Sequence, residues 1–506
     1  MPVKSAEAQE GLMSSAVVSS AVVSADESLH WWPESRDLIE VSDCGARLRQ
    51  ITSAPCITHN IYHEQPPSNY DGNRLAMFRT WDSDPRRRGD LLIYDLAEYK
   101  TACVVRDVAG MGAGVHAIAT SSWSGKIYVV QAVDPTAEPS SPEVCFRTQS
   151  RKQYGESRIH GVSARGEVSL ETLDRTVTAN EIHHAGGPGR GECFAPPREA
   201  EAIPKALDCE SESALGRLPS IGPDAHDGSP WDFHLVVYDL DTLAKETLFR
   251  WNAGLGRGLK TVSPDLRWGL TSIQLGPTLF GIVRIDLETG TAGIIYESDS
   301  IPNPHLQFQL EKNALRILVQ ENRGAIVDGA GNIVRYCDER GIGLFCIDID
   351  GRNRREFPVG PPHTPATTGH ECWIGESDRV LVTLTSHFDD GEREGNVVEV
   401  RPGSPRPRVV FASPLIWNHI SVSRCGRYFV ADSYDLPETP LLIGSVKTGN
   451  TRVLCDALSS GGGAQYSHAH PYLTGDNKWV IFNSDRTGTP QVYAASVPVG
   501  LLESLE

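Results

Sequence analysis

Seven stretches of this chain carry the same run of strand-forming apolar residues closed by a turn. They are LLIYDL from Leu91, LVVYDL from Leu235, GIVRIDLETG from Gly281, LFCIDIDG from Leu344, NVVEVRPG from Asn396, LLIGSVKTG from Leu441 and QVYAASVP from Gln491. Each reads as a β-strand leading into a hairpin. Apart from one gap they recur about every 45 to 60 residues, the period of four-stranded propeller blades. A preceding strand is signalled upstream of several, often after a polar turn with glycine: DGNRLAMF from Asp71, SGKIYVVQA from Ser124, DLRWGLTSI from Asp265, CGRYFVADS from Cys425 and DNKWVIFNSD from Asp476. Helical periodicity is nearly absent. The pattern predicts an all-β chain, a single-domain seven-bladed β-propeller whose third strands are the seven runs above, with six or eight blades as the alternatives. The segment LIEVSDCGARLRQIT, from Leu38, is expected to supply the outer strand or strands that close the last blade.

The gap runs from about Asp134 to Pro230, where Pro, Gly, Ser and charge replace the strand pattern, as in PTAEPSSPEV, HHAGGPGRGE and IGPDAHDGSP. It falls between the second and third strands of the second blade. An inserted loop over 134–230 is therefore expected, and loops that long in compact domains are either functional or disordered. The remaining boundaries are an N-terminal extension over 1–35, the propeller over 36–498 and a C-terminal tail over 499–506.

Six of the seven blocks also carry a histidine near the start of their first strand: His59, His116, His305, His370, His419 and the pair His468 and His470. The innermost strands of a propeller line one central channel, so these imidazoles, far apart in sequence, should converge there. Side chains at i and i+2 of a strand share a face, so His468 and His470 can approach one ion. Gln465, three residues before His468, can add an amide oxygen, and His370 holds the equivalent inner position in the GHECW block. Three imidazoles and an amide oxygen leave positions open, as a catalytic metal requires. Glu371, beside His370, should point away from it on a regular strand.

Composition narrows the partners. The 506 residues are 40% hydrophobic and 22% charged, a soluble globular balance, and 47 Lys+Arg against 65 Asp+Glu give a net charge of −18. That sign argues against nucleic acid and anionic membrane surfaces, and no run approaches the ~20 apolar residues of a spanning helix. Eleven cysteines with no CxxC pair read as reduced thiols of a cytoplasmic protein. GLMSSAVVSSAVVSA follows Glu7 and Glu10 and is diluted by serine, which argues against a cleaved leader. No GxSxG nucleophile motif and no paired carboxylates at the channel point to a hydrolase.

With these motifs in place, the chain resembles the oligogalacturonate lyases, seven-bladed propellers that cleave short pectin fragments by β-elimination with a bound manganese ion. The resemblance runs from about Leu48 to Pro498, outside the insertion. It is closest in QYSHAHPYLTGDNKWVIFNSDRTGTPQVYAASVP, similar to the family's Gln-x-x-His-x-His-Pro segment and the strands after it. GHECW is similar to its His-Glu-x-Trp motif, WNHISVSRCG and NPHLQF to its sixth- and fourth-blade histidine segments, and THNIYHEQ to its first blade. The resemblance implies Gln465, His370, His468 and His470 as ligands of Mn2+ and His305 as the catalytic base. His59, His116, Lys260 and His419 then become candidate substrate contacts. Manganese rests on the resemblance alone, since imidazole-rich sites usually favour zinc, iron or nickel. Gly281 occupies the position of a family arginine thought to assist catalysis, with Arg257, Lys260 and Arg284 as candidate replacements. The expected function is a metal-dependent lyase acting on an acidic, uronic-acid-containing oligosaccharide; the alternative is a non-catalytic propeller that binds a partner.

Overall fold

The computed structural model describes residues 29–80, 88–109, 118–133, 232–251, 255, 258–328, 333–385, 396–461 and 465–506. His116, Arg257 and the expected inserted loop lie outside them. The described residues form a ring of seven antiparallel blades, with a small two-stranded hairpin, Ile326–Val327 and Ile333–Arg335, between the second and third strands of blade four. From blade one to blade seven the innermost strands are Thr58–His59, Ile118–Thr120, Thr261–Val262, Gln307–Phe308, Glu371–Trp373, Ile420–Val422 and Tyr472–Leu473. All seven apolar runs named above are third strands. In blade two the strands that flank the long gap, Lys126–Val133 and Asp232–Asp239, pair along their whole length, from Val133 opposite Asp232 to Lys126 opposite Asp239.

The third strands read as nearly unbroken apolar runs because both of their faces are buried. Leu441 and Ile443 pack toward blade seven, whereas Leu442 between them packs toward blade five. Blade one repeats this, with Leu91 and Ile93 facing blade two and Leu92 and Tyr94 facing blade seven. The core is accordingly a circle of seven apolar seams, one for each pair of neighbouring blades. Such a core is complete only if the ring closes.

The N-terminal segment closes it. Arg47–Gln50 pairs with Gln491–Ser496 as the fourth strand of blade seven, and Arg36–Val41 adds a fifth. Trp31–Trp32, inside the expected extension, pairs with the outer strand of blade one, so one stretch of chain spans the first and last blades. Between these strands the Glu34 carboxylate accepts backbone N–H bonds from Ser53 and Ala54 at 2.7 and 2.8 Å and pairs with Arg79 at 2.5 Å. At the other terminus Leu501–Leu505 is a short helix whose Leu505 packs into the seam between blades six and seven.

Glu34 and Arg79 are buried together, their side chains 6% and 10% exposed. Burial acts to raise the Glu34 pKa, but the Arg79 charge and the two backbone donors outweigh it and hold the carboxyl below the usual glutamate range. Glu34→Ala leaves a buried guanidinium uncompensated and is expected to cost about 3–5 kcal/mol in urea denaturation at pH 7. Because the folded pKa is depressed, the pair's contribution is present above the ordinary glutamate pKa and is lost as pH falls through the folded value. The gap between wild type and variant should narrow in that acid window.

Candidate metal and proton-transfer site

The channel histidines lie at or just before the inner strands. His370 directly precedes Glu371–Trp373, His419 directly precedes Ile420–Val422, and His468 and His470 lie between the turn Gln465–Ser467 and the strand Tyr472–Leu473. His468 and His470 are thus not strand residues as the i, i+2 argument assumed. A left-handed backbone at His470 (φ 46°) turns the chain between them, yet their rings still lie 5.5 Å apart. That turn is pinned from two sides: the Asn60 amide donates to the His470 carbonyl at 2.8 Å, and the Asn483 amide donates to the His468 carbonyl at 3.0 Å.

One nitrogen from each of His419, His468 and His470 lies within 4.8 Å of the others. The His370 ring is 4.4 Å from that of His419. Two of these imidazoles have one nitrogen fixed from behind. Asp432 holds His419 Nδ1 at 2.9 Å, with the Tyr434 hydroxyl 3.2 Å from the same nitrogen, and the Asn418 carbonyl lies 3.1 Å from His370 Nδ1. A proton held on Nδ1 leaves Nε2 with its lone pair, the tautomer a metal ligand needs. Both nitrogens of His470 are buried without a hydrogen-bond partner. Gln465 opens the turn three residues before His468 and is exposed.

The sequence reading passed over His63. Its neighbour in the repeat, His59, is buried against Phe78 and accepts the Ile61 N–H on Nδ1 at 3.2 Å, which is the setting of a packed residue. Four residues on, the chain leaves blade one and crosses the channel. There the His63 ring stacks on His470 at 5.1 Å and meets His419 at 5.0 Å and His370 at 5.6 Å. The only available signal was the second histidine of THNIYHEQ, outside the position that the repeat predicts.

A second group adjoins the first. His305, in a left-handed conformation (φ 42°), places Nδ1 3.5 Å from both Glu64 and Glu371, and its ring is 6.0 Å from that of His370. Glu371 does point away from His370, as strand alternation requires, but toward His305: the two faces of one strand feed two groups. Gln307 braces the pair, donating to Glu64 at 3.1 Å and to the Glu371 carbonyl at 2.7 Å. His305 and Glu64 line a cleft of about 640 Å³ shared with Lys260, Tyr62, Ser272 and Asn303. Arg284 is elsewhere, over the Trp268 ring and donating to the Ile349 carbonyl at the seam of blades three and four.

The two groups titrate in opposite directions. Burial first, then mutual repulsion, pushes His63, His370 and His470 well below the usual imidazole pKa, and burial takes His419 down to about 3. Burial also acts to lower His305, but the Glu64 carboxylate, aided by Glu371, outweighs it and holds this imidazole well above its ordinary value. Burial raises Glu64. At neutral pH the first group therefore offers neutral nitrogen donors, and the second binds a proton tightly.

This geometry can be set beside known proteins. No family model matches the chain. The chain is 25% identical over 240 residues to the oligogalacturonide lyase of Pectobacterium atrosepticum and, equally, to the oligogalacturonate lyase of Dickeya dadantii. Over that stretch the chain resembles the oligogalacturonate lyases. Those matches cover 43% of this chain and 55% of each relative, so it spans about half the length of the curated relatives it matches. A solved oligogalacturonate lyase in complex with manganese shares the fold, with a TM-score of 0.57, 14% identity and coverage of 94% of this chain and 99% of that one. No helix among the described residues is long and apolar enough to cross a membrane.

The depressed imidazoles make a solution prediction. A histidine whose folded pKa lies below its unfolded value contributes stability above pH 6.5 and loses it as the unfolded chain takes up protons the folded one refuses. Chelated protein should therefore lose stability between pH 7.5 and pH 5.5, by about 1 kcal/mol for each imidazole held neutral, in parallel urea denaturations. Equal stability at both pH values would mean that the buried rings take up protons in step with those of the unfolded chain.

Proposed function

We propose that the chain is a lyase that cleaves a uronic-acid-containing oligosaccharide by β-elimination, with a divalent cation held in the imidazole cluster. The observation that carries this reading is the juxtaposition, along one channel, of neutral buried imidazoles and of His305 at the wall of an open cleft. The proposed ligands are His370, His468, His470 and Gln465, with His419 joining them because its nitrogen converges with those of the pair. The donor set fits such an ion: the rings of His419 and His370 are each fixed through Nδ1, and His470 has both nitrogens buried and unpaired. Bound there, the cation, proposed as Mn2+ on the likeness to the family, would supply a Lewis acid for the uronate carboxylate and for the charge that develops at C5.

The chain's own residues account for the rest. His305 takes the C5 proton on the ring nitrogen turned away from the carboxylates, while Glu64 and Glu371 stabilise the resulting imidazolium from the Nδ1 side. The electron pair left at C5 forms the C4=C5 double bond as the glycosidic oxygen leaves C4. In the cation-free protein the two carboxylates favour a protonated His305; positive charge in the neighbouring cluster opposes them and favours the base form. Lys260 in the same cleft binds a substrate carboxylate. Asp432 acts through His419, keeping its proton on Nδ1 and its lone pair turned inward.

Incubating the metal-loaded protein with a panel of uronate oligosaccharides should raise the absorbance of an unsaturated uronide, and chelation should abolish it. His305→Ala should lower the rate by about 10²–10⁴-fold while metal content stays at the wild-type level. No absorbance change on any uronide with metal supplied would refute the lyase reading. Asp432→Asn is expected to weaken divalent-metal affinity about 10–100-fold, measured by competition with a chromophoric chelator.

A further inference from the structure

We propose that His63, on the segment that crosses the channel from blade one, is itself a ligand of the metal centre and makes it a site of borderline, nitrogen-preferring divalent cations. The inference rests on the proposal that the imidazole cluster holds a cation; it adds a residue to that cluster and replaces the Mn2+ suggested by the likeness with a metal class argued from the donors.

His63 is 0% exposed, and neither of its ring nitrogens has a hydrogen-bond partner. A buried polar group left unpaired costs about 1–3 kcal/mol, and here both nitrogens of one ring are in that position. The contrast with its neighbours is informative, because His419 and His370 each have one nitrogen held by Asp432 or Asn418. His63 has no such anchor, so its ring nitrogens are unspent, and the ring touches candidate ligands from three different blades.

The segment is built to deliver this ring. Ile61 adopts a left-handed backbone (φ 70°), a conformation costly for a β-branched residue. The Asn60 N–H donates to Asn483 at 2.8 Å on blade seven, and the Gln65 amide donates to the Lys260 carbonyl at 3.0 Å on blade three. The crossing is thus fastened on both sides of His63, which places the imidazole without needing a bond to the ring itself.

The chemistry follows from the donors. Adding His63 makes the cluster almost wholly imidazole, and the carboxylate recorded against it, Asp432, is held on His419. Imidazole suits zinc, iron, cobalt and nickel, whereas manganese is better matched by carboxylate and water oxygens. An ion held by His63 and by imidazoles of later blades also ties the crossing segment to the ring, so binding should stabilise the fold.

Cobalt(II) is the probe, titrated into chelated full-length protein and read by its visible d–d absorption and by the rise in Tm. Wild type should bind one equivalent with a Tm increase. His63→Phe keeps an aromatic ring, somewhat larger, that can still stack on His470, so a merely structural role survives the change. In that variant cobalt affinity should fall at least about tenfold and the cobalt-induced rise in Tm should shrink, while the Tm of the metal-free protein stays at or above that of wild type, since two unpaired buried nitrogens are removed. His63→Gln, which keeps a polar group, serves if the first variant does not fold. Wild-type cobalt affinity in a folded His63 variant overturns the inference and leaves the lyase reading standing. A wild-type protein that takes up no cobalt overturns both.

Discussion

The first blade meeting the last is the contact on which everything else here depends. Strands buried on both faces need a neighbour on each side, and a row of seven blades would leave two apolar faces in water. The strand Arg47–Gln50 on Gln491–Ser496 removes those faces, and Glu34 with Arg79 fastens the same junction from outside. Closure is also what creates the site: His63 and His470 are stacked ring on ring although the whole propeller lies between them in sequence. Neither group of side chains would exist in an open row of blades.

Inside the channel the question becomes which buried polar atoms are paired. Most of those that shape the site are: Asn60 and Asn483 hold the turn carrying His468 and His470, Thr383 donates to the Asn418 carbonyl at 2.8 Å, and Gln307 braces Glu64. Of the buried side-chain atoms without a hydrogen bond among the described residues, eight lie together at the centre, two each on His63, His470 and Glu371 and one each on His305 and Glu64, while most of the others are scattered around the ring. Buried polar atoms are usually satisfied, so a cluster of exceptions surrounded by satisfied neighbours marks where a ligand belongs. The left-handed backbones at Ile61, His305 and His470 fall in the same small region, as strain held at functional sites does.

How far the sequence revealed this follows from the physics of each element. Third strands were legible because burial on both faces writes an apolar run, and all seven were found. The closing strand was legible because a propeller needs one and LIEVSDCGARLRQIT had no other place to go. Inner strands of two or three residues write almost no pattern, so their histidines had to be found by their spacing. That worked for His305, His370, His419, His468 and His470, which the ring brings together. It failed in blade one, where the position in register, His59, is packed on Phe78 and His63 reaches the cluster from an irregular crossing that no periodicity announces. Glu64 was invisible for the same reason. Arg284, chosen for its nearness in sequence to Gly281, is stacked on Trp268 because a third-strand side chain faces a seam and not the channel.

Two groups with opposite proton affinities share one channel because their surroundings differ. Imidazoles crowded together repel one another's protons, and Asp432, which lies beside them, is bound to a single ring; carboxylates crowded around one imidazole do the reverse. The separation is achieved by the alternation of one short strand. His370 faces His419 and Glu371 faces His305, so the strand start in blade five divides nitrogen donors from oxygen donors at the distance of a single residue. Pairs of titratable groups driven apart by their surroundings are how one site supplies electrophile and base at the same pH. Here the division is made by backbone geometry that closure of the ring holds in place, so the two groups cannot drift independently.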